Sequence, residues 1–169
     1  MTRRAVVQKW ILYSLCALAL VLVQSLFLVR VQVWGVHPFL LPAIAVIPVT
    51  LERDEGALLF SVFFGLACDL LTPVAGLPCF YALAFLVSGG LAWLLSGRVV
   101  AAGLVCSLAA AASALVVCGV LHLAVLAGSQ SVDVTAAAVL AGKEAALSLP
   151  LTVLVHYPFR RICLLTQRD

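Results

Sequence analysis

The chain has 169 residues, of which 65% are hydrophobic and only 10% are charged, with a net charge of +3. An ordinary soluble domain carries roughly 25% charged residues, and a chain this small leaves too much of its surface exposed to hide so many apolar groups in a core of its own. These figures exclude a soluble monomer, a disordered chain and a polyanion-binding arm, and they leave a polytopic membrane protein.

Most of the charges punctuate the sequence. Arg3, Arg4 and Lys9 precede the first apolar run and Arg30 follows it. Glu52, Arg53, Asp54 and Glu55 form one cluster, Arg98 and Asp133 stand alone, and Arg160, Arg161, Arg168 and Asp169 close the chain. The spacing predicts six helices, at about Trp10–Val29, Val31–Leu51, Gly56–Thr72, Leu77–Leu95, Val99–Ala127 and Thr135–Tyr157, in a single domain over 1–169. The break between the third and fourth is the turn-forming stretch Pro73-Val74-Ala75-Gly76. Each run is near or above the roughly 17–25 residues that cross a bilayer as a helix. The helical reading is required because backbone facing lipid must satisfy its own hydrogen bonds. Runs such as Leu18-Ala19-Leu20-Val21-Leu22-Val23 lack the alternation a β-barrel needs.

The first run is about 20 residues long, against roughly 7–15 for the apolar part of a signal peptide, and reads as an uncleaved helix. With the N-terminus inside, the cytoplasmic segments hold eight Lys or Arg and the external loops hold one, Arg30. That bias places both termini in the cytoplasm. The expected fold class is therefore all-α: a bundle of six transmembrane helices, N-in and C-in, with no extramembrane domain.

Proline and small residues shape the helices. Pro38 fits the first turn of the second helix, whereas Pro42 and Pro48 each remove a backbone bond and are expected to kink it. Small residues recur every fourth position at Ala84, Ser88, Ala92 and Ser96, at Ala102, Cys106, Ala110, Ala114 and Cys118, and at Ala138, Gly142 and Ala146. In lipid, helices associate through such stripes. They predict a compact bundle with some small-residue surface left for a partner.

Catalytic and metal-binding patterns are absent from the sequence. The six cysteines lie at least 11 positions apart, which suits small apolar residues inside helices rather than a metal pair or a disulfide framework. His37, His122 and His156 each fall near a predicted helix end and are expected at the interface. No zinc-protease, nucleophile-elbow or phosphate-loop motif occurs. The expectation is a protein that is not an enzyme and has no cofactor or metal.

Three charges lie within the predicted helices: Asp69, Lys143 and Glu144. A charge at the bilayer centre costs about 2.5–3.5 kcal/mol on insertion scales, so each needs a partner, a cavity or the interface. Asp69 and Lys143 fall at similar depth and could pair, locking the third helix to the sixth. The alternative is that Asp69 reaches interfacial water and caps backbone at the helix end. Glu144 points about 100° away from Lys143 around the helix and could face Ser148.

The stretch from the second to the fourth helix carries a pattern. His37-Pro38-Phe39-Leu40-Leu41 is followed by Gly56-Ala57-Leu58-Leu59-Phe60, by Gly65-Leu66-Ala67-Cys68-Asp69-Leu70-Leu71 and by Gly76-Leu77. This resembles the MreD family of bacterial rod shape-determining membrane proteins, as do Gln24-Ser25 and the Leu149-Pro150-Leu151 segment followed by Arg160 and Arg161. The sequence departs from the family pattern at Phe39, where an acidic residue is common, and at Pro78. The resemblance implies a multi-pass subunit of the inner membrane, non-catalytic, in the cell-elongation and peptidoglycan-synthesis complex. It implies MreC as direct partner, with MreB, RodA and a class B penicillin-binding protein in the wider complex, and no nucleic acid. It marks Asp69, Gly65, Gly76 and Pro38 as partner-binding or structural residues, to which the intramembrane charges add Lys143 and Glu144. The competing expectation is a substrate-binding subunit of an energy-coupling-factor vitamin transporter, which shares the six-helix architecture. The first helix has Ala17 and Ala19 but no Ala-x-x-x-Ala row, the coupling feature common in that class.

Overall fold

Ten consecutive residues, Leu41 to Thr50, are buried on every side. A helix that is apolar all round belongs at the centre of a bundle, and this one sits there. The computed structural model describes residues 3–72, 79–98, 103–128 and 134–166. Among these residues the helices are α1 (Arg3–Leu26), α2 (Leu41–Glu52), α3 (Glu55–Leu71), α4 (Phe80–Arg98), α5 (Leu104–Gly128) and α6 (Val134–Thr166), with one 3-10 turn at Leu28–Arg30. Helix α2 touches all five other helices. Three helical segments, Val6–Arg30, Leu104–Gly128 and Thr135–Thr166, are long and apolar enough to cross a membrane.

The second helix is shorter than the sequence pattern suggests. Residues 31–40, expected to be helical, instead form a small hairpin and an extended stretch. Val33 and Val36 exchange backbone hydrogen bonds of 3.1 Å, and Trp34 and Gly35 between them both have positive φ, 56° and 79°. Two consecutive positive-φ residues are what a two-residue hairpin turn of the primed type requires. Pro38 is therefore buried in extended chain and not in a first helical turn. Pro42 occupies the first turn of α2, where its missing N–H costs nothing, and only Pro48 lies inside that helix.

Non-helical backbone at the depth of other helices is tolerable when protein groups satisfy it. Here Gln24 Oε1 on α1 accepts from Leu40 N at 3.1 Å, and Ser148 Oγ on α6 accepts from Phe39 N at 2.8 Å. Two other helices thus hold the start of α2. At its other end Arg53 closes α2 in the left-handed conformation, φ 53°, and Asp54 caps α3 by accepting from Ala57 N at 2.8 Å. The corner between α2 and α3 is therefore only two residues long.

The small-residue stripes divide between two uses. Ala84, Ser88, Ala92 and Ser96 on α4 are buried, as are Cys106, Ala110, Ala114 and Cys118 on α5; Ala102 lies outside the described residues. These faces meet α2, α3 and each other inside the bundle. On α6, by contrast, Ala138, Gly142 and Ala146 are exposed, and nothing lies within 4 Å of where a Gly142 Cβ would stand. Helix α6 also runs on past Tyr157 and through Pro158 to Thr166, beyond its expected end.

Candidate functional site

Polar groups gather at the two ends of the bundle, and each gathering fixes a helix junction. At one end stand Gly65 and Asp69, one turn apart on the same face of α3. A Cβ on Gly65 would lie 2.7 Å from Ala82 Cα and 2.8 Å from the Tyr81 carbonyl oxygen. Only glycine lets α4 come this close. The approach delivers the first amides of α4 to Asp69, whose Oδ1 accepts from Tyr81 N and Oδ2 from Ala82 N, both at 2.9 Å. A helix start leaves its first N–H groups without internal partners and carries partial positive charge. Asp69 answers both, serving from α3 the purpose normally met by a capping side chain in the chain itself. One turn further, Ser61 Oγ donates to the Phe85 carbonyl at 3.1 Å, so Ala57, Ser61, Gly65 and Asp69 make one continuous seam against α4.

This geometry decides between the two expectations for Asp69: it caps backbone beyond the end of α3 and makes no ion pair with Lys143. Both oxygens of Asp69 are occupied by backbone amides, and Lys143 is exposed on α6 with no ion pair to Asp69. Lys143→Ala is expected to leave the melting temperature of the purified chain within about 2 °C of wild type. Asp69→Ala is expected to lower it by several degrees, the loss of a cap being worth about 1 kcal/mol. Exchanging the two charges should give no rescue; recovery to wild-type stability would restore the pairing. Glu144 is half-buried, and Ser148 does not face its carboxylate: Ser148 Oγ donates to the Glu144 backbone carbonyl at 2.7 Å while accepting from Phe39 N. Gly76 lies outside the described residues.

At the opposite end a buried ion pair joins α1 to α2. Lys9 Nζ lies 2.6 Å from Glu52 Oε2, with side-chain exposures of 7% and 8%. Tyr13, one turn along α1, donates to Glu52 Oε1 at 2.8 Å. Asp54 Oδ2 stands 3.8 Å from the same ammonium, and the Trp10 ring centroid 5.4 Å from it. Trp10 packs edge-on to Gly56, where a Cβ would fall 2.8 Å from the indole. Trp10 and Tyr13, which touch the pair, continue into ring contacts with Phe60 and Phe159. From the sequence alone Lys9 is one of the N-terminal charges that orient the chain. The signal available was Lys9 and Tyr13 at i, i+4, which share a helix face.

A third polar chain crosses the core. Thr50 Oγ1 donates to the Ile47 carbonyl at 2.8 Å and lies 3.0 Å from Ser107 Oγ, which in turn lies 3.0 Å from His156 Nδ1. With the Thr50 proton on Ile47, Ser107 donates to Thr50 and His156 donates to Ser107. His156 is 1% exposed and its Nε2 has no hydrogen-bond partner. The expected interfacial placement is therefore wrong for this histidine, which ties α6 to α2 and α5 from inside. His122 is exposed on α5, and His37 is half-buried in the chain leading to α2.

Near the Asp69 end a cavity of about 240 Å³ opens between α4, α5 and α6. Phe39, Phe80, Tyr81, Leu115 and Leu140 give it apolar and aromatic walls, with Glu144 and His122 as its ionisable groups. Among the described residues no cluster of three His, Cys, Asp or Glu stands close enough to hold a metal ion. None of the six cysteines forms a disulfide among the described residues. No family model, curated protein or solved structure matches this chain.

Proposed function

We infer that the chain is a non-catalytic subunit of the bacterial cell-elongation machinery, a multi-pass protein of the inner membrane that binds a single-pass partner of the MreC kind. In this reading all six segments cross the bilayer, the second as α2 together with the extended chain that leads into it, and the end carrying Lys9 and Glu52 faces the cytoplasm. MreB, RodA and a class B penicillin-binding protein belong to the wider assembly. The resemblance to MreD supplies the family, and its motif residues have coherent duties here: Gly65 and Asp69 dock α4, and Gln24 secures the chain entering α2.

The observation that carries the helix-binding part is the uncovered small-residue row on α6. The comparable rows of α4 and α5 are consumed inside the bundle, while Ala138, Gly142 and Ala146 face outward. In lipid a smooth row of this type lets a second backbone approach closely, which is how membrane helices gain contact energy. Capture of the tagged full-length chain from its own membranes is expected to recover a single-pass protein with an external β-rich domain. Gly142→Leu should cut that recovery at least tenfold while the chain still purifies as a folded monomer. Equal recovery by the variant would remove the α6 row from the interface.

The second reading, a substrate-binding subunit of an energy-coupling-factor transporter, is favoured by the cavity between α4, α5 and α6. It predicts a different capture: an ATPase pair with a coupling subunit.

A further inference from the structure

Glu144 is the acidic residue on the wall of the cavity between α4, α5 and α6. Its carboxylate borders the cavity between α4, α5 and α6 and receives no hydrogen bond or ion pair among the described residues. The neighbouring cation, Lys143, is exposed on a different side of the same helix. The remaining cavity walls carry no Lys or Arg. The two segments next to it in sequence, 73–78 and 129–133, contain none either. His37 is within electrostatic reach of Glu144. Its Nε2 lies 3.1 Å from the Gln32 side-chain amide nitrogen, and its buried Nδ1 has no hydrogen-bond partner among the described residues. A half-buried carboxylate beside apolar and aromatic walls is stabilised in its charged form when a cation enters the cavity.

The rest of the cavity indicates what sort of cation. A small metal ion would need several oxygen or nitrogen ligands, and no such cluster exists among the described residues. The walls are instead aromatic and aliphatic. Tyr81 is in ring contact with both Phe39 and Phe80, at centroid separations of 6.2 Å and 5.2 Å, and aromatic faces attract organic ammonium groups within about 6 Å. A volume of about 240 Å³ corresponds to roughly eight water volumes at about 30 Å³ each. That limits the ligand to roughly eight non-hydrogen atoms.

We propose that this cavity is a binding site for a small organic ammonium ion, with Glu144 as its counter-ion and Phe39, Phe80 and Tyr81 holding its apolar body. The site does not depend on the partner-binding reading, because it lies on the inner side of α6 while the small-residue row lies on the outer.

Benzylammonium, with eight non-hydrogen atoms, is the probe. Binding to the full-length chain in lipid nanodiscs is measured by calorimetry, alongside neutral benzyl alcohol and anionic benzoate. Saturable binding of benzylammonium is expected, at least tenfold tighter than benzyl alcohol, with none detectable for benzoate. Glu144→Gln should weaken the ammonium at least tenfold and leave benzyl alcohol unchanged. Ala141→Phe, which fills the cavity from α6 and keeps the carboxylate, should abolish both. If Glu144→Gln fails to fold, the preference for ammonium over alcohol in wild type and its loss in Ala141→Phe decide the matter. Absence of saturable binding, equal affinity for ammonium and alcohol, or undiminished binding in either folded variant overturns the proposal. Capture of MreC-like or transporter-like partners is a separate readout, so neither result depends on the other.

Discussion

Gly65→Ala is expected to destabilise the bundle by about 2–3 kcal/mol, although alanine is the better helix former by about 1 kcal/mol. The added methyl would meet backbone, with Ala82 Cα at 2.7 Å and the Tyr81 carbonyl oxygen at 2.8 Å. Backbone cannot rotate out of the way as a side chain can, so α3 and α4 must separate. Overpacking of this kind costs about 1–3 kcal/mol. Separation also lengthens the two 2.9 Å hydrogen bonds from the α4 amides to Asp69, removing much of a cap worth about 1 kcal/mol. For a chain of this size the melting temperature should fall by roughly 5–10 °C. The control is Gly90→Ala on α4, where nothing lies within 4 Å of the new methyl. There the helix propensity acts unopposed and the variant should melt at or above wild type. Thermal unfolding of the purified chains, followed by circular dichroism, tests the opposite signs. Equal effects at both positions would show that α3 and α4 do not meet as closely as described.

Breaking the Lys9–Glu52 pair from one side should have a comparable or larger effect. Lys9 is 6% exposed and lies 2.6 Å from Glu52. Removing one member of a buried pair leaves an uncompensated charge, at a cost of about 3–5 kcal/mol. Glu52→Gln isolates the charge, because the amide oxygen can still accept from Tyr13. Asp54, 3.8 Å away with 47% side-chain exposure, offers only partial relief. Lys9→Met leaves Glu52 as the orphan, and methionine fills the volume of the lysine stem among Trp10, Tyr13 and Phe60. The double variant Lys9→Met with Glu52→Gln has no buried charge left and should be more stable than either single variant. A full cycle of melting temperatures reads this directly. Additive single effects would show that the two groups are not coupled and that the pair is open to water.

The Asp69 and Lys9 sites show how far residue patterns reach. Asp69 is conspicuous in the sequence because a lone carboxylate in an apolar run must be satisfied by something. The residue pattern left two kinds of partner open, Lys143 as a lone charge at similar depth and backbone beyond the helix end. The amides of Tyr81 and Ala82 won because backbone donors at a helix start are obligatory and near, whereas Lys143 projects away from α3. Lys9 is the reverse case. At the N-terminus it looks like one of several orienting charges, and only folding α1 against α2 and α6 buries it. Likewise Thr50, Ser107 and His156 are separated by 57 and 49 positions, and no local pattern joins them.

The sequence by itself determined that the chain is helical and suited to a membrane, because 65% apolar composition and long uncharged runs are properties of local stretches. It placed most helix ends within a few residues, because charges, prolines and glycines act locally on solvation and backbone geometry. It also placed small-residue rows on α4, α5 and α6. The tertiary structure alone decided which rows are used, since burial depends on the partner helix and not on the row. It decided that α2 is a short central helix preceded by a hairpin, because side chains from α1 and α6 satisfy the amides that a longer helix would have bonded internally. It decided, too, that Glu144 borders a cavity walled by aromatic and aliphatic side chains, a property of three helices packed together and of no one of them.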